Sequence, residues 1–301
     1  MSLARNIVWR PFSLVDHTIH RRQGAQPVAN SHRNIVSPDP SEQIAISEFR
    51  RSHANVLKNG IPCAFLDPSV SGIMDFDSFA ESYEREVAAA IRFARLPHRF
   101  FLEAKLDHLL ATLRQRFENP RQVRALDLGC GTGLVDCLLK VHLPKLIGVD
   151  TSEKVLQTAK FRNPELEYRH VMDNLLPFEA RSFDVVFAIC VWHHVPPDRW
   201  RDFLAEISRV LAADGVLLIY EHNPWNPLTR VAVARCALDA DCVLLTARQA
   251  AENVRSAGFG SIIIDYLLFL PFRSRFTEFC ERKLLRKLPI GAQYALCATR
   301  R

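Results

Sequence analysis

Three of the chain's 11 glycines stand within five residues, directly after an acid, in Leu126-Asp127-Leu128-Gly129-Cys130-Gly131-Thr132-Gly133. A strand that runs through such a loop into a helix lets a ligand approach backbone closely, because no Cβ stands in the way. A nucleotide-like ligand is the default inference. The spacing is G-x-G-x-G, however, and Leu134 occupies the place where a dinucleotide fingerprint needs its third glycine. Asp127 would repel a pyrophosphate and attract an ammonium group. Further on, Asp150 closes a second apolar run, where a carboxylate can accept from both hydroxyls of a ribose. Asp173 closes a third and can accept from an exocyclic amine. An ammonium, a ribose and an adenine without phosphates describe S-adenosylmethionine.

Two more clusters carry chemistry. His193 and His194 follow a fourth apolar run, and an imidazole that titrates near neutrality suits a general base for a hydroxyl or amine acceptor. Glu221 ends a fifth and can orient that histidine or be satisfied by loop amides. Trp225, in the turn Asn223-Pro224-Trp225-Asn226-Pro227, offers either an aromatic wall over the acceptor or a packing anchor. The eight cysteines show no paired spacing that would chelate zinc, and no metal centre is expected. They read as reduced thiols, mostly buried, in a cytoplasmic protein.

The elements that must position these residues follow from periodicity. With 48% hydrophobic residues among 301, the chain can bury a sizeable core, and no apolar run reaches the roughly 18 residues of a membrane span. After Asn119-Pro120, short apolar runs alternate with amphipathic helices, the pattern of a mostly parallel sheet with helices on both faces. Seven strands are expected, at 123–128, 145–149, 166–171, 183–189, 216–220, 261–268 and 293–298. Asp198 should cap a helix whose stripe runs from Trp200 to Leu211, with Gly215 ending the turn beyond. Thr246 and Gln249 should form a capping box for another helix that stops at Gly258. Residues 74–119 read as a helical cap of two helices broken at Pro97. Residues 1–73 lack periodic apolar pattern. They suit a poorly ordered extension, a targeting or RNA-touching arm, or a start codon placed upstream of Met74.

The loop at 127–133 matches the D-x-G-x-G-x-G hallmark of the class I S-adenosylmethionine-dependent methyltransferases, and the chain resembles that family from about Met74 onward. The resemblance extends through residues 146–150, 177–195 and 211–224. More narrowly, the chain is similar to a bacterial branch with Phe100-Phe101 and Lys105 ahead of the sheet and a closing P-x-G-A-Q-Y. It implies a Rossmann-like seven-stranded sheet and cofactor contacts from Asp127, Gly129, Gly131, Gly133, Asp150, Thr151, Asp173, Asn174 and Cys190. The acceptor side is expected to use Tyr83, Lys105 and Trp225, with His193, His194 and Glu221 as the catalytic group. His222 departs from the commoner asparagine of that branch.

The expected activity is O- or N-methylation of a small-molecule, lipid or saccharide-type acceptor. An RNA or protein methyltransferase and a non-catalytic cofactor-binding regulator are the rival readings. Nucleic acid is disfavoured: amino-methylating enzymes of DNA and RNA place an N/D-P-P-aromatic motif after the fourth strand, where this chain has Cys190-Val191-Trp192-His193. Residues 269–288 mix aromatics and leucines with arginine and lysine. They suit either peripheral contact with an anionic membrane or a helix packed on the sheet.

Overall fold

The computed structural model describes residues 82–300, apart from 173, 174 and 273. The expectations for residues 1–73, for the start at Met74, and for Asp173 and Asn174 therefore lie outside the described residues.

Seven strands form one sheet: β1 (Ala125–Leu128), β2 (Leu146–Asp150), β3 (Glu167–His170), β4 (Phe183–Ile189), β5 (Leu211–His222), β6 (Phe259–Leu267) and β7 (Gln293–Arg300). Their order is β3-β2-β1-β4-β5-β7-β6, with β7 antiparallel to both neighbours and the other pairings parallel. The fold is Rossmann-like. Eight helices accompany the sheet among the described residues: α1 (Tyr83–Ala90), α2 (His98–Arg116), α3 (Leu134–Leu139), α4 (Glu153–Arg162), α5 (Trp200–Val210), α6 (Pro227–Arg235), α7 (Ala247–Ser256) and α8 (Arg275–Cys280).

Period-two alternation sorts the strand residues onto two cores. Leu126, Val186, Ala188, Leu217, Ile219 and Leu296 pack under Phe203, Leu204 and Ile207 of α5 and Ala250 and Val254 of α7. Ala125, Val185, Phe187, Leu218 and Tyr220 pack on the opposite face against Leu106, Leu109, Leu110 and Leu113 of α2. The leucine stripe of α2 thus makes it a layer of the sheet domain. The capping role falls to α1, whose Tyr83, Val87 and Ala90 gather with Cys236 and Leu238 beyond α6.

Several local expectations hold, and others are corrected. Thr246 and Gln249 form their capping box, and Gly258 takes a left-handed φ of 89° just past α7. Asp198 sits in the 3₁₀ turn Pro197–Arg199 and does not cap α5, whose N-cap is Arg199 with no side-chain bond. Leu211 already belongs to β5, which starts five residues before the expected Val216 and carries a register shift against β4. There the left-handed residue is Asp214, with φ 62°, and not Gly215. Of the seven described cysteines, all free, only Cys130 and Cys236 are buried and the other five are half-buried, so burial is less general than expected.

Candidate functional site

Strands β1, β2, β4 and β5 end on the same edge of the sheet, and β1 and β4 flank the point where strand order reverses. A cavity of about 1050 Å³ opens there, roofed by α1 and the start of α2. It lies along two unlike regions.

The first region is the glycine loop between β1 and α3. Gly129 has φ 77°, and a Cβ on it would lie 2.5 Å from the side chain of Val191. Gly131 has φ 54°, and a Cβ there would meet nothing within 4 Å, so its backbone faces open cavity. Asp150, at the end of β2, accepts from Gly131 N and Ser152 N, each at 2.9 Å, which ties the loop to the second strand. Asp127 is buried, lines the cavity and leaves Oδ1 without a hydrogen-bond partner. Burial, reinforced by Asp136 beside it, pushes the Asp127 carboxyl well up. Asp136, also raised by burial, reaches about 6 although Asp127 and Tyr168 beside it pull the other way.

Asp127 at the cavity wall, with Asp136 buried behind it and a carboxylate oxygen unmatched, suits a cationic group on a ligand. The open backbone at Gly131 and the carboxylate of Asp150 beyond it complete a cradle for a ligand with an ammonium and a diol. These residues fit S-adenosylmethionine. Thr151 and Cys190 also line the cavity, whereas Gly133 does not: its carbonyl accepts from Asn163 Nδ2 at 2.8 Å, and its φ of 67° turns the loop into α3.

The second region lies beyond the ends of β4 and β5. Cys190 follows β4 with a left-handed φ of 57°. Its Sγ is 3.7 Å from Lys105 Nζ and 3.6 Å from Gln293 Nε2, and Lys105 is buried. Burial opposes ionisation of this thiol, but Lys105 and His222 outweigh it and bring the pKa down to about 7.

The 3₁₀ turn Trp192–His194 comes next, anchored by Trp192, which is fully buried with its ring stacked on Phe203. Glu221 Oε1 accepts from Val191 N at 3.1 Å and Trp192 N at 2.7 Å, and Oε2 meets His193 Nδ1 at 2.5 Å. Glu221 thus contacts both the histidine and the loop amides. On the far side of the His193 ring, Nε2 lies 3.5 Å from Asp239 Oδ1, and His194 Nε2 lies at the same distance from that oxygen.

Burial alone would keep His193 neutral, but Glu221 and Asp239 raise it well above the ordinary imidazole value. Burial and the His193 charge push His194 down to about 4. His193 is 1% exposed and sits behind the wall, while His194 and Asp239 line the cavity.

Tyr83 and Lys105 both line the cavity. Trp225 does not: it is 72% exposed and outside the lining, which removes the aromatic-wall expectation. The turn that carries it is held by Asn223, whose Nδ2 donates to Pro289 O and Gly291 O, and by Asn226, which caps α6. Asp239 and Gln293 are site residues that spacing did not reveal. Gln293 was at least visible inside the closing P-x-G-A-Q-Y. Asp239 sits in the turn Ala237–Asp239, where nothing in the sequence marks it.

Known proteins share the fold and part of the sequence. Residues 126–219 match the family model described as a methyltransferase domain. The chain is 30% identical over 111 residues to an uncharacterized methyltransferase of Synechocystis, covering 35% of this chain and 52% of that protein. It is 40% identical over 110 residues to a demethylmenaquinone methyltransferase of Thermotoga maritima, covering 36% and 46%. The chain thus spans about half the length of the curated relatives it matches. A solved S-adenosylmethionine-dependent methyltransferase of Thermotoga maritima, titled a possible histamine N-methyltransferase, shares the fold. It has a TM-score of 0.55 at 20% identity and covers 75% of this chain and 98% of its own.

Proposed function

We propose that the protein is an S-adenosylmethionine-dependent methyltransferase acting on the oxygen or nitrogen of a small, largely apolar acceptor, of small-molecule or lipid type. The observation that carries the cofactor half is Asp127 Oδ1, buried at the cavity wall without a donor beside the open backbone of Gly131. Bound there, the cofactor supplies a methyl group already activated by a sulfonium charge. The chain's own residues then have two tasks, to position the acceptor and to ease removal of its proton.

Asp127 takes the ammonium, Asp150 the ribose diol, and Thr151 and Cys190 flank them. Asp173 and Asn174 are proposed for the adenine on sequence grounds. At the acceptor end, Tyr83 and Lys105 face the reacting atom, and the cluster of His193, His194, Glu221 and Asp239 draws off its proton. Glu221 and His193 act by positioning, since neither lines the cavity: Glu221 holds His193, whose Nε2 faces the cavity-lining Asp239.

The cavity lining supports an apolar acceptor: Phe100, Leu228, Val233, Leu268 and Phe269 line it alongside the polar groups. Next to that wall, Phe272, Phe276, Phe279 and Leu284 are exposed in a segment that also carries Lys283, Arg286 and Lys287. Arg286 and Lys287 pair with Asp265 of β6, which ties the segment to the sheet, while its exposed aromatic face suits peripheral contact with a membrane. Among the described residues no helix is long and apolar enough to cross a membrane.

The test is transfer of isotope-labelled methyl from S-adenosylmethionine to separate lipid, small-molecule and RNA fractions of a cell extract. Label in an organic-soluble or small-molecule product is expected. Label only in RNA or protein would overturn the acceptor class, and cofactor binding with no labelled product in any fraction would favour a regulator.

A further inference from the structure

We propose that His193, His194 and Asp239 form a binding site for a divalent transition-metal ion of the zinc type, opening onto the acceptor end of the cavity. His193 Nε2, His194 Nε2 and Asp239 Oδ1 lie within 4.8 Å of one another, and both nitrogens are 3.5 Å from the same oxygen. In a tetrahedral site with bonds of about 2.0–2.1 Å, neighbouring ligand atoms stand about 3.3 Å apart. The spacing fits a shared cation. A direct charge-assisted bond between an imidazolium and a carboxylate would instead close to about 2.7–2.9 Å.

The far side of His193 supplies a second, independent observation. Glu221 receives two backbone N–H groups on Oε1, so it is an ionised acceptor, and its Oε2 takes the proton on His193 Nδ1. That commits Nδ1 to Glu221 and leaves Nε2 as the outward atom, buried, without a hydrogen-bond partner, and aimed at the Asp239 carboxylate. The gap between Nε2, His194 Nε2 and Asp239 Oδ1 is the place where a cation would sit. A carboxylate behind a ligating histidine is also how metal sites orient their imidazoles. Three protein ligands leave a fourth position, and His194 and Asp239 both line the cavity, so that position faces the acceptor.

The role of the ion rests on the methyltransferase reading: it would hold the acceptor oxygen and ease loss of its proton. The binding itself does not rest on that reading. The experiment uses the full chain, stripped with a chelator and titrated with Co(II) by visible absorption and with Zn(II) by calorimetry. One equivalent is expected, with the d–d bands of a tetrahedral nitrogen–oxygen site. Asp239→Asn should abolish those bands while the thermal melt stays cooperative, and Glu221→Gln should weaken Zn(II) affinity by about 10- to 100-fold. Cys190→Ser should leave the bands in place.

Absence of stoichiometric binding overturns the site. So does binding that survives Asp239→Asn, or an intense thiolate-to-cobalt band that disappears in Cys190→Ser. S-adenosylmethionine affinity measured on the same samples separates the two claims. A protein that binds cobalt but not the cofactor retains the metal site and loses the methyltransferase reading.

Discussion

The two ends of the cavity are built by opposite means. At the glycine loop, one short stretch does the work: Asp127, Gly129 and Gly131 are consecutive in space because they are nearly consecutive in sequence, and Asp150 locks them from the next strand. At the acceptor end, Lys105, Cys190 with His193, Glu221, Asp239 and Gln293 come from five separate places along the chain. Backbone geometry makes a binding site that tolerates little variation, whereas a side-chain network can be rebuilt residue by residue. One end is therefore suited to holding a fixed cofactor and the other to choosing an acceptor. Variants that uncouple affinity from turnover test this division.

The largest effect is expected at His193. His193→Ala should lower turnover by about 100- to 10,000-fold while cofactor affinity stays within about 3-fold, because Asp127 and Asp150 hold the cofactor independently. Single-turnover rates on the acceptor, alongside calorimetry with S-adenosylmethionine, give both numbers. Equal losses in the two would mean that His193 shapes the cofactor pocket and that the two ends are not separate.

Asp150→Ala should do the reverse. Removing a carboxylate that accepts from Gly131 N, and that we assign to the ribose hydroxyls, should cost about 1–3 kcal/mol of binding, roughly 10-fold or more in affinity. Calorimetry that finds affinity unchanged, or a preference for NAD, would sink the assignment of the cofactor end.

The legibility of the two ends in the sequence differs for the same reason. The loop was readable because contiguous residues carry its whole geometry, and the sheet was readable because buried strands alternate in hydrophobicity. Glu221 and His193 were placed by their positions at strand ends, though not their mutual 2.5 Å contact. Asp239 was invisible, since its approach to two histidines depends on how α6 and the turn after it fold back over the cavity. Trp225 misled because an aromatic between prolines looks like a wall, whereas Asn223, buried and bonded to Pro289 and Gly291, is what anchors that turn. Helix starts failed for a smaller reason: Asp198 has a capping side chain but sits one residue too early, in a 3₁₀ turn.

The acid pair sharpens the comparison through pH. Burial raises Asp127 and brings Asp136 to about 6, so the ligand-free pair retains a proton that ordinary carboxyls release near pH 4. With folded values above the unfolded ones, the free protein loses stability as pH climbs from about 4 through 6. An ammonium favours the ionised pair, so cofactor affinity should rise as pH climbs through the value of about 6 at Asp136. Between pH 5 and 7 the gain should be about 10-fold, with a proton released on binding that calorimetry in buffers of different ionisation enthalpy can count. A flat profile with no proton release would mean that the ammonium is held elsewhere.

The smallest effect is expected at Trp225, and it tests the boundary of the acceptor end. The indole is 72% exposed and takes no part in the cavity lining, while the turn beneath it is fixed by the side chains of Asn223 and Asn226. Trp225→Ala removes an aromatic surface that contributes little packing, so stability should change by no more than about 0.5 kcal/mol. Turnover on an acceptor dissolved freely in water, and affinity for the cofactor, should both stay within about 2-fold. A tenfold loss of turnover with unchanged cofactor affinity would return Trp225 to the acceptor, and would require the segment 223–227 to fold inward when the acceptor binds. A loss seen only when the acceptor is presented in anionic vesicles would instead assign the indole to the apolar surface that Phe272, Phe276 and Phe279 expose.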